Sequence, residues 1–244
     1  MKAVVLAAGY ATRLYPLTLD RPKALLPVGG KPMLERLLER LGEMDGLDGV
    51  YVVTNAKFAG AFRKWAEEAG ADLEIVDDGT TDDETRLGAI GDLDLVIREG
   101  GIDDDLVVLA GDNLFSESIA GFPAFALAKG GAALGVYDVG NLDAIRSYSA
   151  IELDGDDRVV RLEEKPEQPR TTLAGIALYF YPRDGLGLVR EYLDAGNNPD
   201  QPGRLVEWLY PRTPVYGWRL PGRWYDVGSK ETLAEADRAF TGAG

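Results

Sequence analysis

The segment LAAGYATRLYPLTLDRPKALLPVGGKP, residues 6–32, begins as an apolar strand and continues as a loop that holds Arg13, Arg21 and Lys23. The first 40 residues contain seven Lys or Arg residues and three Asp or Glu residues, whereas the whole chain has a net charge of −15. Cations are therefore concentrated directly after the first strand of an otherwise acidic protein. This placement predicts a local anion-binding site at the end of that strand.

The composition of the 244-residue chain excludes several classes of chemistry. Histidine and cysteine are absent, which excludes imidazole bases, disulfides and thiolate metal sites. Any metal must have oxygen ligands, which suit Mg²⁺, Ca²⁺ or Mn²⁺. The acidic balance argues against a nucleic-acid partner. No run reaches the roughly 18 consecutive apolar residues of a transmembrane helix, so we expect no membrane partner and a cytoplasmic protein.

The spacing of apolar residues predicts an α/β fold. Four apolar runs in the first 110 residues are typical of strands buried on both faces, and amphipathic helical patterns lie between them. Strands that alternate with helices form a parallel sheet, so we expect a Rossmann-like, mostly parallel, doubly wound sheet. Beyond residue 130, short strands joined by polar turns predict a smaller antiparallel subregion. The predicted strands are residues 2–8, 50–54, 73–76, 106–110, 132–139, 149–153, 159–164, 174–181 and 215–220, and a final helix is predicted at 230–240.

Ligands of such sheets bind at the carboxyl ends of the strands. In this chain, small residues follow the first strand at that end. Ala7, Ala8 and Gly9 have small side chains or none, which lets backbone N–H groups approach a base or a phosphate closely. Neither the G-x-G-x-x-G fingerprint nor the P-loop motif is present, and a tight turn is the alternative interpretation. Asp112 follows the strand at 106–110, so we expect it to face the same site.

Four charged residues are candidates for phosphate chemistry. Arg13 and Lys23 could neutralise a triphosphate and its departing pyrophosphate, and the alternative interpretation is that both are solvated surface cations. Asp112 and Asp226 each follow an apolar run, where one or two carboxylates could hold a hard cation that bridges phosphate oxygens. For Asp112 the alternative is local turn chemistry within Gly-Asp-Asn.

Longer motifs connect these residues. L-A-A-G-x-x-x-R and R-P-K-A-L-L-P-V-G-G-K-P-M-L, both within the first 34 residues, resemble the sugar-1-phosphate nucleotidyltransferases, such as the glucose-1-phosphate thymidylyltransferases. The resemblance covers nearly the whole chain and is loosest around residues 183–213. It implies a single nucleotidyltransferase domain over 1–244. Within it, the nucleotide-binding part is 1–130, the sugar-phosphate-binding part is the antiparallel subregion at 131–228, and the C-terminal helix is 229–244.

The resemblance also implies substrates, a cofactor and residue roles. The substrates are an NTP and a sugar-1-phosphate, the products are an NDP-sugar and pyrophosphate, and the cofactor is Mg²⁺. The implied catalytic residues are Arg13 and Lys23 on the nucleotide phosphates, Asp112 and Asp226 as ligands of Mg²⁺, and Lys165 on the phosphate of the sugar phosphate. The implied binding residues are the backbone of Ala7, Ala8, Gly9 and Gly88 for base and ribose, and Glu164 and Gly175 for the sugar.

Two departures from the family pattern leave the exact substrates open. Residues 87–91, Leu-Gly-Ala-Ile-Gly, lack the glutamine of the thymidylyltransferases and are closer to the L-G-T-A-G of mannose-1-phosphate guanylyltransferases. Ser149 stands where a glycine often follows the tyrosine of the sugar site. We favour dTTP or UTP with glucose-1-phosphate, and the alternatives are a mannose-1-phosphate guanylyltransferase and a phosphocholine cytidylyltransferase.

Interpretations of another class also remain. Residues 75–82, Ile-Val-Asp-Asp-Gly-Thr-Thr-Asp, resemble the V-D-D-G-S-T-D stretch of inverting GT-A-type glycosyltransferases. An inactive nucleotide-sugar sensor is a further alternative, although such a protein is expected to have lost charged site residues that this chain keeps. The oligomeric state is open, and a homo-oligomer is one of the options.

Overall fold

In the computed structural model, which describes residues 1–242, a nine-stranded sheet forms the centre of the molecule, accompanied by two two-stranded ribbons. The strands are β1 (Lys2–Leu6), β2 (Pro27–Val28), β3 (Lys31–Pro32), β4 (Val50–Thr54), β5 (Glu74–Asp77), β6 (Leu106–Ala110), β7 (Asn113–Phe115), β8 (Ala132–Asp138), β9 (Ser149–Leu153), β10 (Val159–Glu164), β11 (Leu173–Tyr181), β12 (Val215–Arg219) and β13 (Trp224–Asp226). The helices are α1 (Met33–Gly42), α2 (Ala56–Ala69), α3 (Ala89–Glu99), α4 (Gly121–Lys129), α5 (Leu142–Ile145), α6 (Gly187–Asp194), α7 (Pro202–Leu209) and α8 (Lys230–Thr241).

The central sheet changes from parallel to antiparallel across its width. Strands β6, β1, β4 and β5 are adjacent and parallel, which is the arrangement that alternating strands and helices produce. On the other side, β11 pairs antiparallel with β6, β8 and β9, and β10 pairs antiparallel with β9. Strand β12 then lies parallel to β8. The predicted Rossmann-like sheet with a smaller antiparallel subregion is confirmed.

Helices cover both faces of the sheet because the strand residues are apolar on both sides. Val4 and Val5 are fully buried neighbours in β1 that point to opposite faces and belong to different apolar clusters. Val4 packs in the cluster that contains residues of α3, α6 and α7, and Val5 in the one that contains residues of α1, α2 and α4. Burial of each large apolar side chain contributes about 1.5–3 kcal/mol to folding. The two apolar layers therefore hold the ends of the strands in fixed positions.

The C-terminal helix α8 packs against the loop that follows β1. Helix α8 begins with a capping box. The Ser229 hydroxyl accepts a hydrogen bond from the Thr232 N–H, and the Thr232 hydroxyl accepts one from the Ser229 N–H. The Phe240 ring of this helix packs on Tyr225 and beneath the Arg36 guanidinium. The helix predicted at 230–240 is therefore observed, while the last two residues of the predicted 229–244 segment lie outside the described residues. No helix within residues 1–242 is both long and apolar enough to cross a bilayer.

Candidate active site

Two adjoining cavities open at the carboxyl ends of β1 and β6. The larger cavity has a volume of about 500 Å³ and reaches from the loop after β1 to the start of α3. The smaller cavity has a volume of about 270 Å³ and lies over β9, β11 and β13. The residues that line both cavities are Arg13, Ala110, Asp112, Lys165, Gln201 and Pro202. Ligands in the two cavities would therefore meet at this shared boundary.

The larger cavity is lined by backbone that approaches closely from two sides. Ala8 and Gly9 line it after β1, and the Asn55 side-chain amide donates to the Ala8 carbonyl at 2.7 Å, which fixes that turn. A β-carbon at Gly9 would meet no atom within 4 Å, so the protein itself leaves this space open. Gly88 is different, because its φ is +80° and a β-carbon there would lie 2.7 Å from the Pro199 carbonyl.

The cations of the first loop reach different places. Lys23 lies at the start of a 3-10 turn after Pro22, and its Nζ is 2.5 Å from Oδ2 of Asp112. Arg13 is exposed and lines both cavities. Arg21 lies outside the site, in a surface hollow that also contains Lys64 of α2. Of the three loop cations, two therefore join the candidate site and one does not.

The two candidate metal ligands lie at a short antiparallel ribbon, Asp112 directly before β7 and Asp226 at the end of β13. Strand β13 pairs with β7 so that Asp226 lies opposite Asn113, and the Val227 N–H donates to the Asp112 carbonyl at 3.0 Å. Burial, followed by the nearby Asp112 carboxylate, raises the pKa of Asp226 to about 6. Tyr148 lines the smaller cavity together with Asp226, and burial, followed by the charge of that carboxylate, raises the pKa of Tyr148 to about 12.

The chemistry of this acid pair fits a hard divalent cation. Asp112 and Asp226 offer oxygen ligands only, and a cation between them would relieve both the burial of the Asp226 charge and its repulsion by Asp112, which together raise the Asp226 pKa. Within residues 1–242, no group of three or more acidic side chains is arranged to hold a metal. A cation bound here would therefore complete its shell with water or phosphate oxygens, as Mg²⁺ commonly does.

The smaller cavity is lined by side chains of antiparallel strands. Ser149 of β9 donates its hydroxyl hydrogen to Oε2 of Glu164 in β10, and both residues line the cavity. Gly175 of β11 is packed tightly, because a β-carbon there would lie 3.0 Å from Cδ1 of Leu134. The Trp224 ring forms part of the wall and packs edge-on against Tyr148, with centroids 5.0 Å apart.

Lys165 connects the smaller cavity to the larger one. Its φ of +51° turns the chain directly after β10, and its N–H donates to the Tyr148 carbonyl at 3.0 Å. The side chain is exposed and lines both cavities, which leaves the ammonium free to reach a phosphate group at their boundary. A left-handed residue that is not glycine is uncommon and marks a backbone position held by its surroundings.

All predicted site residues line these two cavities or a third hollow between β1 and the Lys23 turn. The larger cavity contains Ala8, Gly9, Arg13, Gly88, Asp112 and Lys165; the smaller contains Glu164, Gly175 and Asp226 as well as Arg13, Asp112 and Lys165; and the third hollow contains Ala7 and Lys23. The geometry brings these residues together, while their individual roles stay predictions.

The sequence analysis missed several residues of the larger cavity. Arg86 donates two hydrogen bonds to Asp200, at 3.2 and 3.0 Å, across more than one hundred positions of the chain. Gln201 lines both cavities, and Asp92 of α3 is buried in the wall of the larger one. An acid in the first turn of a helix is ordinarily explained by the helix dipole, so only the position of Asp92 in the fold indicates a different use.

Comparison with known proteins identifies the family. Residues 2–242 match the family model described as Nucleotidyl transferase. The chain is 25% identical over 243 residues to the bifunctional protein GlmU of Methanocaldococcus jannaschii, covering 98% of this chain and 54% of GlmU, so it spans about half the length of that relative. It is 34% identical over 242 residues to the glucose-1-phosphate thymidylyltransferase of Mycolicibacterium smegmatis, covering 97% of this chain and 81% of that protein.

A solved structure supports the same fold. The crystal structure of a UDP-glucose pyrophosphorylase complexed with UDP-glucose superimposes with a TM-score of 0.83, covering 100% of this chain and 99% of that one at 20% sequence identity. The match of the family model over nearly the whole chain decides the assignment. The chain belongs to the nucleotidyl transferase family.

Proposed function

We propose that the protein joins a nucleoside triphosphate to a sugar-1-phosphate and releases an NDP-sugar and pyrophosphate. The observation that carries this proposal is the shared boundary of the two cavities, where Arg13, Asp112 and Lys165 line both. A nucleotide in the larger cavity and a sugar phosphate in the smaller one would meet there, phosphate to phosphate. Two cations and a carboxylate at that boundary are the groups that a reaction between two phosphates requires.

The reaction would be an in-line attack by an oxygen of the sugar phosphate on the α-phosphorus of the nucleotide. A phosphate monoester with a second pKa of about 6 is already largely dianionic at neutral pH, so no protein base is needed. A reaction that needs no protein base is compatible with a chain that has no histidine. The protein then contributes alignment of the two phosphates and neutralisation of their charge.

Each charged side chain has one place in this scheme. Lys165 would position the attacking phosphate, and Arg13 with Lys23 would stabilise the departing pyrophosphate. Asp112 and Asp226 would hold Mg²⁺, which would supply charge neutralisation at the phosphate oxygens when bound. Because Lys23 forms an ion pair with Asp112 at 2.5 Å, its ammonium would have to leave or share that carboxylate to reach the phosphates.

The favoured substrates are dTTP or UTP and glucose-1-phosphate. The relative from M. smegmatis supports this choice, because its name describes a glucose-1-phosphate thymidylyltransferase and it is 34% identical to this chain. A mannose-1-phosphate guanylyltransferase and a phosphocholine cytidylyltransferase remain alternatives for the same site.

A glycosyltransferase is the alternative from another class. Its support is the acidic stretch at 75–82, but the acids there serve the local turn, because Asp77 accepts from the Gly79 N–H and Asp78 from the Thr80 N–H. The products distinguish the two functions, since a glycosyltransferase releases a nucleoside diphosphate and the proposed enzyme releases pyrophosphate.

The test is a grid of five nucleotides, dTTP, UTP, GTP, CTP and ATP, against glucose-, mannose-, galactose- and N-acetylglucosamine-1-phosphate and phosphocholine, with Mg²⁺. We expect pyrophosphate only in wells that contain both substrates, together with an NDP-sugar identified by mass spectrometry. Folded protein that releases no pyrophosphate in any well would contradict the proposal.

A further inference from the structure

The wall of the larger cavity contains a pair of buried acids that the proposed reaction does not use. Asp92 lies in the first turn of α3, is only 6% exposed and lines the cavity close to Gly88. It lies next to Asp78, which follows β5. Asp78 is itself fixed, because its Oδ1 accepts from both the N–H and the hydroxyl of Thr80 at 2.7 Å.

A shared proton would satisfy both acids. Oδ1 of Asp92 and Oδ2 of Asp78 are both buried, and neither receives a hydrogen bond from any donor within residues 1–242. Two carboxyl groups in contact satisfy such atoms by placing one proton between them. Burial, followed by the charge of Asp78, raises the pKa of Asp92 to about 8, so the proton belongs to Asp92 and is donated to Asp78.

This arrangement determines what Asp92 presents to a ligand. With its proton directed to Asp78, the other carboxyl oxygen of Asp92 is the one left to face the cavity, and it is an acceptor without a hydrogen to donate. The same is true if the proton is lost, because a carboxylate is also an acceptor only. Asp92 therefore offers a fixed hydrogen-bond acceptor in either state.

Nucleotide bases fall into two groups according to whether they present a donor or a lone pair to such an acceptor. Uracil, thymine and guanine carry a ring N–H beside a carbonyl group, and that N–H is a donor. Cytosine and adenine have an unprotonated ring nitrogen at the corresponding position, and its lone pair would face the lone pair of Asp92. A buried polar group left without a partner is costly, so this contrast is large enough to select between bases.

We propose that Asp92, held in place by Asp78, is a specificity-determining residue that accepts a hydrogen bond from the ring N–H of uracil, thymine or guanine and thereby excludes cytosine and adenine nucleotides. The inference rests on the proposed function, because it takes the larger cavity as the nucleotide site. It also separates the alternatives for that function, since a cytidylyltransferase would require the opposite preference.

Nucleotide binding without a sugar phosphate tests the inference directly. Isothermal titration calorimetry with UTP, dTTP, GTP, CTP and ATP should show that the wild-type protein binds the tightest of the first three at least about tenfold more tightly than CTP or ATP. Asp92→Leu has nearly the same shape but no hydrogen-bond acceptor, so the preference for UTP over CTP should fall by about tenfold or more. Glu99→Gln, an exposed acid on the same helix, is the matched control and should keep the wild-type ranking.

The outcomes separate the inference from the function on which it rests. Wild-type protein that binds CTP or ATP as tightly as UTP, dTTP and GTP would overturn the inference, as would a folded Asp92→Leu variant with an unchanged ranking. Should that variant fail to fold, the wild-type ranking alone decides. Folded wild-type protein that binds none of the five nucleotides would contradict the proposed function itself, and the inference with it.

Discussion

The larger and the smaller cavity are built in different ways. Loops that leave parallel strands and the first turn of α3 line the larger one, and at Gly9 and Gly88 its wall has no side chain. Side chains of antiparallel strands, such as Ser149 and Glu164, line the smaller one. Backbone contacts do not change when a side chain is substituted, whereas side-chain contacts do. The wall at Gly9 and Gly88 therefore does not depend on side chains, whereas selectivity at Asp92 in the larger cavity and at Ser149 and Glu164 in the smaller one does.

The largest expected effect comes from the boundary that both cavities share. Asp112→Asn keeps the shape of the side chain but removes the charge that pairs with Lys23 and faces Asp226. We expect turnover to fall by about 10²-fold or more while the fold is retained, since one preorganised electrostatic partner is lost. Steady-state pyrophosphate release and circular dichroism measure the two quantities.

Asp143→Asn is the matched control for this change, because the Asp143 side chain is 86% exposed and lies outside both cavities. Wild-type turnover in Asp112→Asn, or an equal loss in the control, would remove Asp112 from the mechanism.

Substitution of Lys165 is expected to have a smaller effect, mainly on the KM for the sugar phosphate. Lys165→Met keeps the aliphatic length and removes the ammonium, so the KM for the sugar phosphate should rise by about tenfold. The KM for the nucleotide should rise less, because Arg13 and Lys23 still face its phosphates. Lys64→Met, at an exposed position of α2, should change neither constant. A greater effect on the nucleotide KM would contradict the assignment of Lys165 to the sugar phosphate.

The backbone wall of the larger cavity can be tested at Gly88. Gly88→Ala combines a positive φ with a β-carbon 2.7 Å from the Pro199 carbonyl, whereas Gly140→Ala has a positive φ of +65° in open space. We expect Gly140→Ala to lower the free energy of unfolding by about 1–2 kcal/mol and Gly88→Ala to lower it by more. Urea unfolding provides the comparison, and equal losses would show that the close approach to Pro199 contributes nothing.

The smallest expected effect concerns the side chains of the smaller cavity. Ser149→Ala removes the hydroxyl that donates to Glu164, which leaves an oxygen of that carboxylate free in the cavity. We expect the KM values for different sugar phosphates to change by a factor of about three, in unequal proportions, because the lost hydrogen bond lies within the wall and affects the ligand only through the orientation of Glu164. The nucleotide KM serves as the internal reference, and a change confined to it would contradict the assignment of the two cavities.

Much of the sheet could be predicted from the sequence because its strands are apolar on both faces. The predicted strands at 50–54, 106–110, 149–153 and 159–164 coincide with β4, β6, β9 and β10. The first strand is shorter than predicted: the Ala7 N–H still bonds the Val53 carbonyl, but the chain then turns toward the cavity where Asn55 holds the Ala8 carbonyl. Apolar character alone does not reveal where a strand ends and a turn begins.

The elements that were missed depend on distant or short stretches of sequence. The ribbon of β7 and β13 joins Asn113 to Asp226, and no local pattern predicts a pairing over that separation. Helices α6 and α7 have only eight residues each, which is too short for a clear helical period. Asp92 was missed for the same reason, because Asp78 follows strand β5 and only the fold brings it next to Asp92 in helix α3.

In the proposed reaction, an oxygen of the sugar phosphate attacks the α-phosphorus of the nucleotide at the boundary of the two cavities. The most direct test uses a sugar-1-phosphate labelled with ¹⁸O at the non-bridging phosphate oxygens, with the products analysed by mass spectrometry. We expect all of the label in the NDP-sugar and none in pyrophosphate. Label released as inorganic phosphate or found in pyrophosphate would show that a different bond breaks and would contradict the proposed reaction.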